Sequence, residues 1–208
     1  MSREISSESG PSDISYSAEV RRKLVHLSSL WIPVAVWYLP GRTAFLVLGL
    51  VFLGSLALDL LRHFIPKDAR GWRHLLALFR PREQGKLSGS SFLLLAASLL
   101  TLFFSRETAA LSLIYIVVGD VAGALVGRRF GRHSLFEKTW EGSLAFFLAC
   151  VLFSPLVPGL PFWVKLLAAA LAAAIEVLPI KLDDNFTVPV GTASFLTLLT
   201  WVSTKNIP

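Results

Sequence analysis

The chain has 208 residues, 54% of them hydrophobic and only 16% charged, with a mean hydropathy of +0.63 and a net charge of +6. That composition excludes an ordinary soluble domain and points to an integral membrane protein, and so many apolar blocks in so short a chain leave no room for a separate soluble domain. The single cysteine, Cys150, excludes an intrachain disulfide and a Cys-based metal site.

Residues 1–20 are rich in Ser, Glu and Gly, with no apolar core and no small-residue cleavage site, so they read as a tail, disordered up to about Tyr16, and not as a signal peptide. The remainder, 21–208, reads as a single transmembrane catalytic domain that begins at the basic helix start Arg21-Arg22-Lys23. Apolar blocks follow at 27–39, 43–61, 87–104, 108–126, 141–156, 162–180 and 188–202. Each is near the roughly 20 residues a helix needs to cross a bilayer core, the first and last being short. The expected fold is all-α, a polytopic membrane bundle of about seven transmembrane helices. Seven crossings place every Lys and Arg on one face except Arg42, Arg106, Lys165 and Lys205. A bias of that size orients the basic face toward the cytoplasm, at the inner membrane in a bacterium. The same charge attracts anionic membrane lipids. Basic residues spread over membrane loops without a nucleic-acid motif argue against DNA or RNA as a partner.

Several chemically loaded stretches punctuate these blocks. Arg22-Lys23-Leu24-Val25-His26 sets Lys23 and His26 at helical spacing, where snorkelling to headgroups is the default reading. The loop after the second block, with Trp72, His74 and Phe79 among several arginines, reads as an interfacial amphipathic segment. It ends in the small, polar run 83–90, which suits either helix packing or a phosphate contact. The fourth block contains Asp120, and an aspartate inside a span costs about 2.5–3.5 kcal/mol on insertion scales, so it marks a candidate functional site. Gly119, Gly123 and Gly127 recur every four residues, a smooth stripe for close helix packing. Asp120, one residue off that stripe, is expected to face the same interface.

Beyond the stripe, Arg128, Arg129, Gly131 and Arg132 combine a tight-turning backbone with forked cationic donors, although no Gly-x-x-x-x-Gly-Lys-Ser loop occurs. Lys138 and Glu141 then stand at a salt-bridge spacing, with Thr139 and Glu141 also placed to cap the fifth block, so helix-start pairing and catalysis both fit. Glu176 lies in an alanine-rich helix where nothing local offsets its burial. Two helical turns later, past Pro179, come Asp183, Asp184 and Asn185. These acids approach the basic face, and carboxylates mixed with Arg and Lys are what a metal–nucleotide complex requires: hard oxygen ligands for Mg²⁺ and cations for phosphate. An ion pathway would use similar groups.

Taken in order, Arg22–His26, Gly119-Asp120-x-x-Gly123 with Gly127-Arg128-Arg129-Phe130-Gly131, Lys138-Thr139-Trp140-Glu141-Gly142-Ser143, and Glu176 followed by Asp183-Asp184-Asn185 resemble the CTP-dependent lipid kinases. That group comprises dolichol kinase, phytol kinase and the yeast-type diacylglycerol kinase. The middle motifs are also similar to phosphatidate cytidylyltransferase, whose long carboxy-terminal signature is missing here, which favours the kinase branch. The resemblance implies transfer of a phosphate from CTP, with Mg²⁺, to the hydroxyl of a membrane lipid such as a polyprenol, phytol or diacylglycerol. On that basis Asp120 with Asp183, Asp184 and Asn185 is expected to hold Mg²⁺. Arg128, Arg129, Gly131, Arg132, Lys138 and Thr139, with Lys23 and His26, are expected around the nucleotide. Glu141 or Glu176 is expected to orient or deprotonate the alcohol, with Asp120 and Lys138 completing the catalytic set. A small ion-coupled carrier using Asp120 and Glu176 is the rival of a different class, opposed by the gathering of the acids toward one face and by the lack of an inverted repeat.

Overall fold

The computed structural model describes residues 16–64 and 87–205. Eight α-helices make up most of the described residues: α1 (Tyr16–Ser28), α2 (Trp31–Tyr38), α3 (Gly41–Phe64), α4 (Gly89–Phe103), α5 (Arg106–Phe130), α6 (Trp140–Phe153), α7 (Phe162–Val177) and α8 (Asp184–Lys205). A two-stranded antiparallel hairpin, β1 (Ser134–Leu135) and β2 (Lys138–Thr139), joins α5 to α6. The all-α expectation therefore stands, with that hairpin as its one sheet among the described residues.

Among the described residues, three helices are long and apolar enough to cross a membrane: 41–61 within α3, Arg106–Phe130, and 184–203 within α8. The other expected blocks form shorter apolar helices. α4, α6 and α7 have 15, 14 and 16 residues. The first block, 27–39, is interrupted: α1 ends at Ser28, and α2 restarts at Trp31 as an eight-residue helix. α1 begins at Tyr16, ahead of the expected basic start at Arg21, so residues 16–20 are helical. Their helix has a buried anchor in Glu19, which pairs with Arg22 and with Arg128 of α5. Residues 1–15 and the expected interfacial segment with Trp72, His74 and Phe79 lie outside the described residues.

Local chemistry sets three of the helix starts. The hydroxyls of Ser88, Ser105 and Thr139 accept from the amides of Ser91, Thr108 and Gly142, capping α4, α5 and α6. Arg128 and Arg129 occupy the last turn of α5, where cations oppose the negative helix end. α5 is the central element: every residue from Thr108 to Gly119 is buried. Helices α1, α2, α6 and α8 pack on it, α4 bridges α3 and α8, and α7 packs between α6 and α8. By contrast α3 is mostly exposed and presents Leu46, Leu50, Leu53 and Leu58 outward.

The glycine stripe is a packing surface against α6. A Cβ on Gly119 would stand 2.6 Å from the Phe146 ring, and one on Gly127 would stand 2.9 Å from the Thr139 hydroxyl. This close approach fixes how far α6 sits along α5 and hence where Lys138 and Thr139 emerge.

At the end of the bundle away from the hairpin, Lys165 is buried and donates to the carbonyls of Ser154 and Val157. There Tyr115 donates to the Lys165 carbonyl at 2.9 Å, and its hydroxyl also meets Ser154.

Candidate active site

Five helix ends meet at the hairpin end of the bundle: the amino termini of α4, α6 and α8 and the carboxy termini of α5 and α7. Gly89, at the start of α4, lies so close to the start of α8 that a Cβ there would be 2.7 Å from Asn185 Nδ2. Helix amino termini expose unpaired amides and a partial positive charge, so their grouping favours anions at this end.

Lys138 stands at the centre. Thr139, the residue after it, ends strand β2 and caps α6, so hairpin and helix together fix the lysine backbone. The Lys138 ammonium lies 2.5 Å from Glu176 Oε1 on α7 and 3.2 Å from Asp184 Oδ2 on α8. Burial opposes its charge, and the Glu176 and Asp184 carboxylates, joined by Asp120, more than offset that, so the lysine is held above its ordinary pKa. A single cation from the hairpin thus ties the end of α7 to the start of α8. Glu176 itself is 6% exposed.

Asp120 pairs with α1. Its Oδ2 accepts from Lys23 Nζ at 2.5 Å and lies 3.4 Å from His26 Nε2. The expectation that Asp120 faces the glycine-stripe interface is therefore corrected: the stripe meets α6, while the aspartate turns to α1. Lys23, expected by default to snorkel outward, is instead buried.

Glu141 is placed apart from these groups. It accepts from the His133 amide at 3.4 Å and meets His133 Nδ1 at 2.7 Å, and it is absent from the cleft that Lys138 lines. The Lys138–Glu141 spacing does not become an ion pair, because Lys138 is drawn to Glu176 and Asp184.

The basic loop is divided in the same way. Arg128 pairs with Glu19 at 3.1 Å, Arg129 stacks on Phe130 at 5.5 Å from the ring centre, and Arg132 is exposed. Gly131 is required where it stands, since a Cβ would fall 2.2 Å from the Gly127 carbonyl oxygen.

Asp183 accepts from the amide and side chain of Asn185 at 3.0 and 2.8 Å, which shapes the start of α8. Asp183, Asp184 and Asn185 are contiguous, and Asp120 approaches from α5. Their oxygens have the hard character that Mg²⁺ takes. Among the described residues, no three His, Cys, Asp or Glu side chains gather as a metal-binding group. Lysines stand between the carboxylates: Lys23 at Asp120, Lys138 at Asp184 and Glu176.

Two acids here have roles that sequence reasoning did not identify. Glu19 is a buried carboxylate whose signal was its three-residue spacing from Arg22, masked by the acidic tail composition around it. Asp59 on α3 is 1% exposed and accepts from the Ser88 amide at 2.7 Å, the Ser88 hydroxyl at 3.0 Å and the Ser91 hydroxyl at 2.7 Å.

Lys138, Glu176, Asp183 and Asp184 border an open cleft of about 160 Å³ between the hairpin and the α7–α8 connection. No family model matches the chain, and no solved structure matches it. It is 30% identical over 198 residues to the phytol kinase of Synechocystis sp. (strain ATCC 27184 / PCC 6803 / Kazusa), a match covering 88% of this chain and 79% of that protein. It is also 25% identical over 198 residues to an uncharacterised protein of Rickettsia prowazekii (strain Madrid E), covering 90% of this chain and 97% of that one.

Proposed function

The chain belongs to the family of lipid kinases that includes phytol kinase, and on that premise we propose that it transfers the terminal phosphate of CTP to the hydroxyl of a membrane lipid alcohol. The observation that carries this reading is the Lys138 ammonium shared between Glu176 and Asp184. A cation already balanced against two carboxylates can move to a phosphate, and its departure leaves Glu176 able to accept a proton. Phosphoryl transfer asks little else of the protein than position and charge neutralisation.

In this mechanism Lys138 contacts the γ-phosphate, with Arg128, Arg129 and Arg132, the Gly131 backbone, Thr139, Lys23 and His26 around the remaining phosphates. Asp120, Asp183, Asp184 and Asn185 would hold Mg²⁺ once Lys23 and Lys138 turn from them to phosphate, and the ion would supply charge neutralisation for the triphosphate. Glu176 takes the hydroxyl proton as the new bond from alcohol oxygen to γ-phosphorus forms and the bond to the β,γ-bridging oxygen breaks, releasing CDP. Glu141 keeps the hairpin loop folded through His133. The seven crossings are those of α3 to α8 together with a first pass by α2 and the end of α1, and the hairpin end faces the cytoplasm.

The test is reaction of purified protein with CTP labelled only in the γ-phosphate, Mg²⁺ and a set of lipid alcohols. Label is expected in an organic-soluble lipid phosphate. Label found only in pyrophosphate, with a cytidine-bearing lipid as product, would replace the kinase by a cytidylyltransferase; no reaction with any alcohol would overturn the reading.

A further inference from the structure

The cleft at Lys138 has a second wall that phosphoryl transfer does not use. Besides Lys138, Glu176 and Asp184 it is lined by Leu178, Ile180 and Leu182 of the α7–α8 connection. These three aliphatic side chains are 48, 43 and 54% exposed. A connection between helices at a charged end gains nothing from large exposed apolar groups at every second position, and their cost in water calls for an apolar neighbour.

We infer that segment 178–182 is the docking rim for the hydrocarbon chain of the acceptor alcohol, holding its first carbons while the hydroxyl reaches Lys138 and Glu176. The inference rests on the lipid-kinase reading. Two observations select this occupant. The exposed aliphatic side chains border the same cleft as the charged groups, so the molecule that meets both has a polar head joined directly to a hydrocarbon; in a nucleoside triphosphate the base is separated from the γ-phosphate at Lys138 by a ribose and two further phosphates. In addition, a cleft of about 160 Å³ is smaller than the roughly 300 Å³ and upward of sites that enclose a drug-sized ligand. It takes the hydroxyl end of a long chain and leaves the tail outside, in the bilayer. Chain length is then read weakly and the first carbons strongly.

The full-length protein, in vesicles, is irradiated with a phytol analogue carrying a diazirine close to its hydroxyl, and in parallel with a diazirine-bearing hydrocarbon that lacks the hydroxyl. Peptide mapping is expected to place the alcohol adduct within 178–182, suppressed by unlabelled phytol, with little hydrocarbon adduct there. Equal labelling by the two probes, or alcohol adducts confined to other surfaces such as α3, would overturn the inference. Because labelling needs no turnover, its outcome is separate from that of the kinase assay. As a second measurement, Ile180→Asn, at an exposed position that leaves the fold intact, should raise the KM for the alcohol about tenfold while leaving the KM for nucleotide unmoved. A variant with both constants unchanged would count against the rim.

Discussion

Two sets of carboxylates lie at the same end of this bundle and are satisfied in opposite ways. Asp59 is surrounded by donors built into the backbone and first turn of α4, namely the Ser88 amide and the Ser88 and Ser91 hydroxyls, with Ser55 bonded to Ser91 behind them. Asp120, Glu176 and Asp184 are instead balanced by Lys23 and Lys138. Hydroxyls and amides at fixed positions cannot leave, so Asp59 is part of the framework that fixes α4 against α3. An ammonium on a flexible four-carbon stem can exchange one anionic partner for another. On the proposed function, the mode of neutralisation, more than the presence of an acid near a membrane face, separates structural from chemical carboxylates.

That contrast can be broken by substitution. The largest effect is expected from Asp120→Asn, which keeps the shape and removes the charge: phosphate transfer should fall by on the order of 10²–10³-fold while the detergent-purified protein still elutes as a folded species. Full activity of that variant would return Asp120 to the structural class. Asp59→Ala should do the reverse. It strips the partner from a buried amide and two hydroxyls, so about 2–3 kcal/mol of stability should be lost in thermal unfolding, with the nucleotide KM of the folded fraction unchanged. Lys138→Ala should raise the nucleotide KM by about tenfold and the lipid KM much less, since a charge-assisted phosphate contact disappears. An effect confined to the lipid would move Lys138 out of the nucleotide site. Least affected should be Glu141→Gln, at about twofold or less in kcat, because its carboxylate lies on the hairpin with His133; a loss as large as that of Asp120→Asn would make Glu141 the base in place of Glu176.

Much of this arrangement could be read from the chain. The apolar blocks locate the helices, the scarcity of charge singles out Asp120 and Glu176, and motif order places the basic loop beside Lys138. The misreadings share one cause, which is that local spacing competes with partners distant in sequence. Lys138 and Glu141 sit at an ideal helical interval, yet Glu176, 38 residues away, holds the lysine. Asp120 follows the glycine stripe in sequence but turns to α1, because Phe146 fills the space over Gly119. The early start of α1 follows from the contact of Glu19 with Arg128, 109 residues on, which composition cannot reveal. Asp59 carries no local signal in the sequence; the approach of Ser88 and Ser91 shows it as a helix-capping group.

The unequal helix lengths reach beyond the protein itself. At 1.5 Å per residue, α4, α6 and α7 span only about 21–24 Å, against roughly 30 Å for a typical hydrocarbon core. The long α3 and α5 match or exceed that thickness in the same molecule. Where α4, α6 and α7 cross the bilayer as proposed, lipid beside them must compress or tilt its chains to meet them, a deformation costing fractions of a kcal/mol per Å. A dimple of this kind brings the headgroup plane of the surrounding leaflet down toward the ends of α6 and α7, where Lys138 and Glu176 lie. On the proposed function the membrane becomes a working part of the site: bilayer thickness, set by the acyl chains of its lipids, tunes how far an alcohol must rise to be phosphorylated.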